Sequence, residues 1–252
     1  MGPLLHKRRN PSLVTFESVG VYAIGGSGPW IRGVRPSKST SDFLPANSLQ
    51  WKRGPGLPKD VSDVSRGCAV PVSKNSFIYI NTGSNDTYTG RSGVIREYMI
   101  NMANPTSNQG WMSANRWPTL SSWHGHGCAR IGRNVLIAGG FNGGYVNGKW
   151  RDHHGEKVRN TKIIDIATRK VRLGGNLVTP RAYHRLATVT TGGLTKAFAF
   201  GGSRLFGNIY HSSVEEWDED NLKWKPAGNL KEARAEFAAI TVPLSVVCPG
   251  SG

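Results

Sequence analysis

The stretch "WHGHGC" at residues 123–128 holds the densest set of side chains that could do chemistry. His124, His126 and Cys128 alternate, so on a strand they would share one face, as two imidazoles and a thiolate bound to one metal would require. Residues two apart on a strand are nevertheless too widely spread for easy three-point binding to a tetrahedral zinc ion. A cysteine also holds the matching place in an earlier, similar stretch, which favours a small buried side chain. We therefore predict neither a metal site nor a cofactor.

The other chemically capable residues give no catalytic pattern. His153 and His154 lie in the basic stretch "GKWRDHHGEKVRN", which we interpret as a solvated loop. No Ser-His-Asp set and no pair of carboxylates can be assembled from the spacing alone. We expect no catalytic residue and predict that the protein is not an enzyme.

The composition suits a single well-packed protein with acidic partners. The chain has 252 residues, enough for a sizeable core, and a net charge of +16 from 32 basic and 16 acidic residues. A positive charge of this size attracts acidic proteins, nucleic acid or acidic glycans. The basic residues are concentrated at residues 6–9 and 149–172, whereas the stretch from Ser212 is acidic. This uneven distribution argues against a uniform clamp around a polyanion.

The cysteines and the apolar runs indicate a compartment. Cys68, Cys128 and Cys248 are too few, and odd in number, for a disulfide framework, so we expect thiols in a reducing, cytoplasmic setting. Asn85 begins a glycosylation triplet, which keeps secretion open as an alternative. No stretch approaches the ~18 apolar residues of a membrane span, so we predict no membrane insertion.

A pattern recurs four times along the chain. Each copy has an apolar run ending in glycine, then a polar turn, then a tryptophan, which Val171 replaces in the third copy, and another short apolar run. The glycines are Gly25, Gly26, Gly83, Gly139, Gly140, Gly201 and Gly202, and the tryptophans are Trp51, Trp111 and Trp224. Each copy reads as four short strands separated by turns, and repeated units of this kind stack as propeller blades. We interpret the glycines and tryptophans as structural residues of the repeat.

The last copy contains a local conflict. Residues 229–240, "NLKEARAEFAAI", are rich in helix formers and begin with a capping Asn. The same turn-to-tryptophan distance precedes them as precedes "PRAYHRLATV" in the third copy, so we predict a strand there rather than a helix.

Glycine pairs, an acidic turn, a tryptophan and an arginine before the next strand together resemble kelch repeats. The resemblance implies an all-β fold, a β-propeller of four kelch-like four-stranded blades over residues 20–243. A basic N-terminal segment (1–19) and a C-terminal tail (244–252) would flank it. The chain departs from the family at Thr82 and Val171, and in having four copies where six or seven are usual. Either the strands 12–16 and 235–243 pair to close the ring, or the chain is a fragment of a larger ring with an open edge that self-associates.

The resemblance also implies a function. Kelch domains hold partner peptides on the loop face at the channel mouth, so the family suggests a protein-interaction module, a scaffold or an adaptor. Ligand contacts in the family lie two residues after the arginine that opens a strand, which gives Arg66, His126, Tyr183 and Glu236 here.

The loops that follow the glycines pair aromatic residues with Arg or Asn, a composition typical of binding hot spots. They contribute Trp30, Arg32, Tyr88, Arg91, Phe141, Tyr145, Arg204 and Phe206. Their arginines would create a positive field for an acidic peptide.

Two alternatives remain open. One is a binder of nucleic acid or acidic glycan, carried by the net charge and expected to depend steeply on salt. The other is a copper oxidase of the kind that some kelch-like propellers resemble, but Tyr183 and His184 are adjacent and would point apart on one strand. Arg181 and Arg234 are expected to bond backbone within the blade.

Overall fold

The chain forms a β-propeller of four blades. The computed structural model describes residues 3–8, 10–16, 18–28, 40–57, 67–81, 94–106, 112–117, 125–140, 142–146, 149–153, 159–204 and 209–239. Within these ranges all regular elements are strands, arranged in four antiparallel sheets of four strands each and one two-stranded hairpin. No helix in this part of the chain is long and apolar enough for a membrane crossing. The four-bladed all-β prediction is confirmed.

The first two blades are formed by consecutive strands. Blade 1 contains β1 (Ser12–Phe16), β2 (Gly20–Ile24), β3 (Ser41–Pro45) and β4 (Lys52–Arg53). Blade 2 contains β5 (Cys68–Pro71), β6 (Ser76–Asn81), β7 (Val94–Met99) and β8 (Met112–Arg116). In each blade every strand pairs antiparallel with the next.

The last two blades repeat this order, with one insertion. Blade 3 contains β9 (Gly127–Ile131), β10 (Asn134–Ala138), β13 (Thr161–Asp165) and β14 (Val171–Gly174). Blade 4 contains β15 (Arg185–Thr191), β16 (Leu194–Phe200), β17 (Ser213–Asp218) and β18 (Lys223–Asn229). The inserted hairpin pairs β11 (Asn142–Val146) with β12 (Lys149–His153). The basic stretch interpreted as a loop therefore begins as a hairpin strand, with His153 at the end of β12.

The first strands of the blades surround the central axis. β1 lies beside β5, β5 beside β9, and β9 beside β15. One cavity of about 40 Å³ is lined by residues of all four of these inner strands. A second cavity of about 210 Å³, also lined by all four, continues along them. We call these two cavities the channel and the four strands the inner strands.

The described residues form three core clusters, which lie between blades 1 and 2, blades 2 and 3, and blades 3 and 4. Phe16 of blade 1 meets Phe77 of blade 2 edge to face, with ring centroids 6.3 Å apart. Ile80 and Ile137 belong to the cluster between blades 2 and 3. The third cluster joins blades 3 and 4. In the described residues no cluster joins blade 4 to blade 1, and we call this junction the seam.

The fourth-copy tryptophan belongs to the third cluster. Trp224 is 4% exposed, and its Nε1 donates a hydrogen bond to Thr161 Oγ1 of blade 3 at 2.8 Å. Trp217 packs against Trp224, with ring centroids 5.3 Å apart. Trp51 is half-buried, and Trp111 lies outside the described residues.

The glycine pairs are needed both for their conformation and for close packing. Gly139 and Gly201 have φ values of 62° and 59°, in the left-handed region that side chains disfavour. A Cβ on Gly139 would lie 2.5 Å from Arg181 O, and one on Gly201 would lie 2.5 Å from Arg234 O. Gly25, Gly26, Gly140 and Gly202 also have positive φ, and Gly83 lies outside the described residues.

The cysteines differ from expectation. Cys68 of β5 and Cys128 of β9 form a disulfide that joins the inner strands of blades 2 and 3. The expectation of thiols is therefore wrong for these two residues. The two cysteines have a sequence separation of 60, and no pattern in the sequence predicts their pairing, because only the stacking of two blades brings them together.

The ends of the propeller also need correction. β1 pairs with β2 as the inner strand of blade 1, so this blade begins at Ser12 and not at residue 20. Residues 230–239 contain no helix, but 235–239 are not a strand either, and 240–243 lie outside the described residues. Pairing of residues 235–239 with β1 is thus not observed. Ala238 and Ala239 instead reach the cavity that Pro11 and Ser12 also line.

Candidate binding site at the channel mouth

Two sets of loops meet at one end of the propeller. Because the strands of a blade alternate in direction, the loop after the second strand and the connection after the fourth lie at the same end. The connection that follows β14 and leads into blade 4 is joined to the loop after β16 by paired hydrogen bonds. Ala182 N donates to Ser203 O at 2.9 Å, and Ser203 N donates to Ala182 O at 2.8 Å. We call this end the mouth.

A series of strained residues surrounds the mouth. Asn10, Gly125 and Tyr183 each lie two residues before an inner strand, with φ values of 54°, 62° and 56°. Glu236 has a φ of 59°. Tyr183 N donates to Gly125 O at 2.6 Å, and Glu236 N donates to Tyr183 O at 2.9 Å. Positive φ is uncommon outside glycine, and residues held in it cluster at functional sites.

The structure places the four predicted contact residues differently from one another. Tyr183 and Glu236 belong to this hydrogen-bonded series, and both are half-buried. Arg66 lies outside the described residues. The structural equivalent of Tyr183 in blade 3 is Gly125, so the overlay is shifted by one residue in that copy. His126 instead corresponds to His184, immediately before the inner strand.

The two histidines before the inner strands are enclosed. His126 and His184 are each 0% exposed. The ring of His184 lies between blades, because a Cβ on Gly127 would be 2.9 Å from its Nε2 and one on Gly139 would be 2.6 Å from its Cε1. Burial, followed by the charge of Arg181, holds the pKa of His184 well below its ordinary value. His184 is therefore a neutral packing residue at physiological pH.

The described part of the stretch "WHGHGC", residues 125–128, is arranged for packing. Cys128 is bonded to Cys68, and the His126 ring is inaccessible to solvent. His124 lies outside the described residues. In the ranges that the structure describes, no three His, Cys, Asp or Glu side chains are grouped so as to hold a metal ion.

Arg181 fixes the loops of blade 4 from beneath. It is 0% exposed, and its guanidinium donates to Gly201 O at 2.7 Å and to Ser213 O at 2.9 Å. Its Nη2 also forms an ion pair with Glu215 Oε1 at 2.6 Å. Glu215 in turn accepts hydrogen bonds from Val178 N and Thr179 N.

Blade 1 contains the equivalent network. Arg8 donates to Gly25 O at 2.7 Å and to Thr40 O at 2.9 Å, and it pairs with Asp42 at 3.3 Å. Both side chains of that pair are 0% exposed. Arg234, expected to bond backbone like Arg181, instead donates to Glu232 and stays half-exposed.

An exposed apolar and basic patch lies on the mouth loop of blade 4. Ile209 is 61% exposed and Tyr210 is 53% exposed, and Arg204 N donates to Ile209 O at 3.2 Å. Ser203 bridges Tyr210, so the two ends of the loop are held together. We call Arg204, Ile209 and Tyr210 the mouth patch. The sequence predicted Arg204 but missed the other two, although both end the loop whose composition had indicated binding.

The remaining predicted loop residues cannot be assigned contacts. Tyr145 stands in the inserted hairpin at the register position opposite Trp150. Trp30, Arg32, Tyr88, Arg91, Phe141 and Phe206 lie outside the described residues.

A further residue at the mouth was missed from the sequence. Arg185, the first residue of β15, lines the smaller cavity. Its guanidinium makes one hydrogen bond within the described structure, from Nη1 to His184 O at 3.3 Å. Burial lowers the pKa of Arg185 to about 10, and the Tyr79 phenol opposes that shift. The sequence did contain a signal for Arg185. It is a charged residue at the first position of an inner strand, where the other three inner strands have Ser12, Cys68 and Gly127.

No protein family matches this sequence, and no curated protein matches it either.

Proposed function

We propose that this protein is a kelch-type interaction module that binds an acidic peptide or protein segment at the mouth, without chemistry of its own. β-Propellers commonly serve as protein-interaction modules. The observation that carries the proposal is the mouth patch, in which two exposed apolar side chains stand beside Arg204 on a loop fixed by backbone hydrogen bonds. Rigidly held loops of this composition are the usual places of binding.

Charge supports an acidic partner. The chain carries a net charge of +16, and the carboxylates Asp42 and Glu215 beneath the mouth are already paired with arginines. A positive mouth would speed the encounter with an acidic segment, while the apolar contacts would give selectivity. A scaffold or adaptor role would follow from such a site.

The test is binding of labelled acidic peptides to the wild type and to Tyr210→Ala, followed by fluorescence anisotropy. Removing an aromatic side chain that the partner covers on binding typically weakens binding by about 2 kcal/mol, roughly 30-fold. Leu173→Ala is the matched control, because Leu173 is 73% exposed on the outer strand of blade 3. Equal weakening by both variants, or none by either, would refute the mouth patch as the docking site.

The second candidate is a binder of nucleic acid or acidic glycan, favoured by the net charge alone. It predicts affinity that falls steeply with salt, and equally for the wild type and Tyr210→Ala. The copper-oxidase alternative is not carried forward, because the His184 ring is enclosed between Gly127 and Gly139.

A further inference from the structure

The inner strands of the first three blades are bonded to one another at or next to their first residues, at the mouth end of the channel. Ser12 Oγ donates to Gly67 O at 2.8 Å, which joins blade 1 to blade 2. Cys68 is covalently bonded to Cys128, which joins blade 2 to blade 3. Both junctions are thus closed by bonds between residues of the protein itself.

The third junction is also closed, whereas at the fourth the described residues show no corresponding bond. A Cβ on Gly127 would be 2.6 Å from Leu186 Cδ1, so blades 3 and 4 are in direct contact there. At the seam the equivalent position is Arg185, whose side chain lines the cavity. Its one hydrogen bond goes to His184 O, the carbonyl of its neighbour.

Arg185 is half-buried and differs from the fully buried arginines of the mouth. Arg8 and Arg181 each have a carboxylate partner and at least two backbone carbonyl acceptors. Within the described residues Arg185 has no carboxylate partner, although a guanidinium carries five N–H donors. Arg185 is half-buried, so its remaining N–H donors and its positive charge are available to an anionic ligand in the cavity.

The cavity in front of Arg185 has room for such a group. Its volume is about 40 Å³, more than one water needs, and it continues into the larger channel cavity. Among the described residues that line it, Arg185 is the only charged one, and the others are small or apolar. Guanidinium pairs best with a planar carboxylate, which accepts two parallel hydrogen bonds.

We propose that the mouth end of the channel binds a carboxylate group at Arg185, and that this carboxylate completes the fourth junction. The carboxylate comes either from a free small acid or from an Asp or Glu side chain of a docked peptide. Only in the second case does the inference rest on the function proposed above.

The test uses the intact chain and sodium acetate as the probe, with ionic strength held constant by sodium chloride. The thermal unfolding midpoint of the wild type should rise with acetate and then follow the logarithmic increase of a single binding site. Arg185→Gln should give a flat line, and Arg172→Gln, which removes an exposed arginine of the outer strand β14, should behave as the wild type. A flat response of the wild type, or an unchanged response of Arg185→Gln, would overturn the proposal.

A measurement on the wild type alone guards against a variant that fails to fold. In ¹H–¹⁵N spectra, acetate should shift the amides of Gly67 and Gly127, which line the cavity, and leave that of Gly192 unchanged. Gly192 lies in the β15–β16 turn, at the opposite end of the inner strand. Equal shifts at all three positions would mean a non-specific salt effect and would contradict the site.

The source of the carboxylate is decided by competition. If a peptide side chain fills the site, acetate should displace an acidic peptide from the wild type, and Arg185→Gln should bind that peptide more weakly. If acetate saturates the site but leaves peptide binding unchanged, a free acid is the ligand. Acetate binding that depends on Arg185, without any peptide binding, would uphold this inference while refuting the proposed function.

Discussion

Two buried arginine–carboxylate pairs set the shape of the mouth at the scale of single residues. Arg8 with Asp42 and Arg181 with Glu215 each join the segment before an inner strand to the third strand of the same blade. The arginine donates to backbone carbonyls on both sides of the loop after the second strand, and the carboxylate offsets its charge. Such a pair contributes more to the arrangement of loops than to net stability, because desolvation cancels much of the attraction.

Removing one partner of such a pair should be costly. We expect Glu215→Gln to lower the free energy of unfolding by about 3–5 kcal/mol, because it leaves the Arg181 charge buried and uncompensated. Urea denaturation measures the loss. Glu232→Gln, which breaks the exposed pair with Arg234, should cost less than about 1 kcal/mol. Similar losses in the two variants would contradict the account of Arg181.

The pH dependence of the free energy of unfolding should show the effect of the depressed pKa of His184. Its pKa is depressed in the folded state by burial and by nearby arginines, so the unfolded chain binds a proton more readily. Stability should therefore be greatest above the unfolded pKa of about 6.5 and should fall as pH decreases below it. Denaturation between pH 7.5 and 5 measures this loss, which His184→Leu should reduce. An unchanged slope in that variant would assign the loss to other groups.

The disulfide is the main constraint at the scale of elements. It joins β5 to β9 across a sequence separation of 60 residues, so it restricts the unfolded chain strongly. It also lies beside the channel, where strands of two blades face one another. Disulfides are typical of oxidising compartments, whereas the cytoplasmic assignment remains a prediction from the sequence.

Loss of this bond should be measurable in two ways. A Cys68→Ser, Cys128→Ser double variant should lose about 4 kcal/mol of unfolding free energy by the chain-entropy estimate. Thiol titration of the denatured, unreduced protein should find Cys248 alone, and all three cysteines after reduction. Cys248→Ser is the control for stability. Three reactive thiols before reduction would contradict the disulfide.

The features of the fold that the sequence could predict are those that recur in every copy of the repeat. Glycine pairs and the tryptophan position recur in register, so the blades and their number were readable. The same overlay rightly excluded a helix in residues 230–239, but the strand that it predicted there is not observed at 235–239. The disulfide was not readable, since two cysteines become neighbours only when blades stack. The position of His126 was misassigned by one residue, because nothing in "WHGHGC" marks Gly125 as the residue with positive φ. Arg185 was not predicted, because the composition typical of binding hot spots lies in the loops and not at the first residue of a strand.

The whole molecule has two kinds of blade. Blades 2 and 3 are covered by core clusters on both faces, whereas blades 1 and 4 are each covered on one face in the described structure. Stability in stacked repeats is close to a sum over neighbouring interfaces. Among the described residues the seam is therefore the junction with the fewest packing contacts, and we expect it to be the weakest part of the ring.

Hydrogen exchange should show this gradient. We expect amides of β6 and β10 to be the most protected and those of β2 and β16 to exchange sooner, because each outer blade opens by breaking one interface. Native-state exchange followed by mass spectrometry resolves the four strands. Equal protection in all blades would mean that the seam is as tightly packed as the other junctions.

The segment after blade 4 repeats the backbone arrangement that leads into an inner strand. Gly202 N donates to Arg234 O as Gly140 N donates to Arg181 O, and Glu236 N continues the series of the mouth. This arrangement forms although residues 235–239 belong to no sheet. The hydrogen bonds that hold this turn within the described residues come from blade 4 and from the segment that leads into it. During synthesis on the ribosome, each finished blade would present its successor with a preformed starting turn, so that assembly proceeds in one direction along the nascent chain.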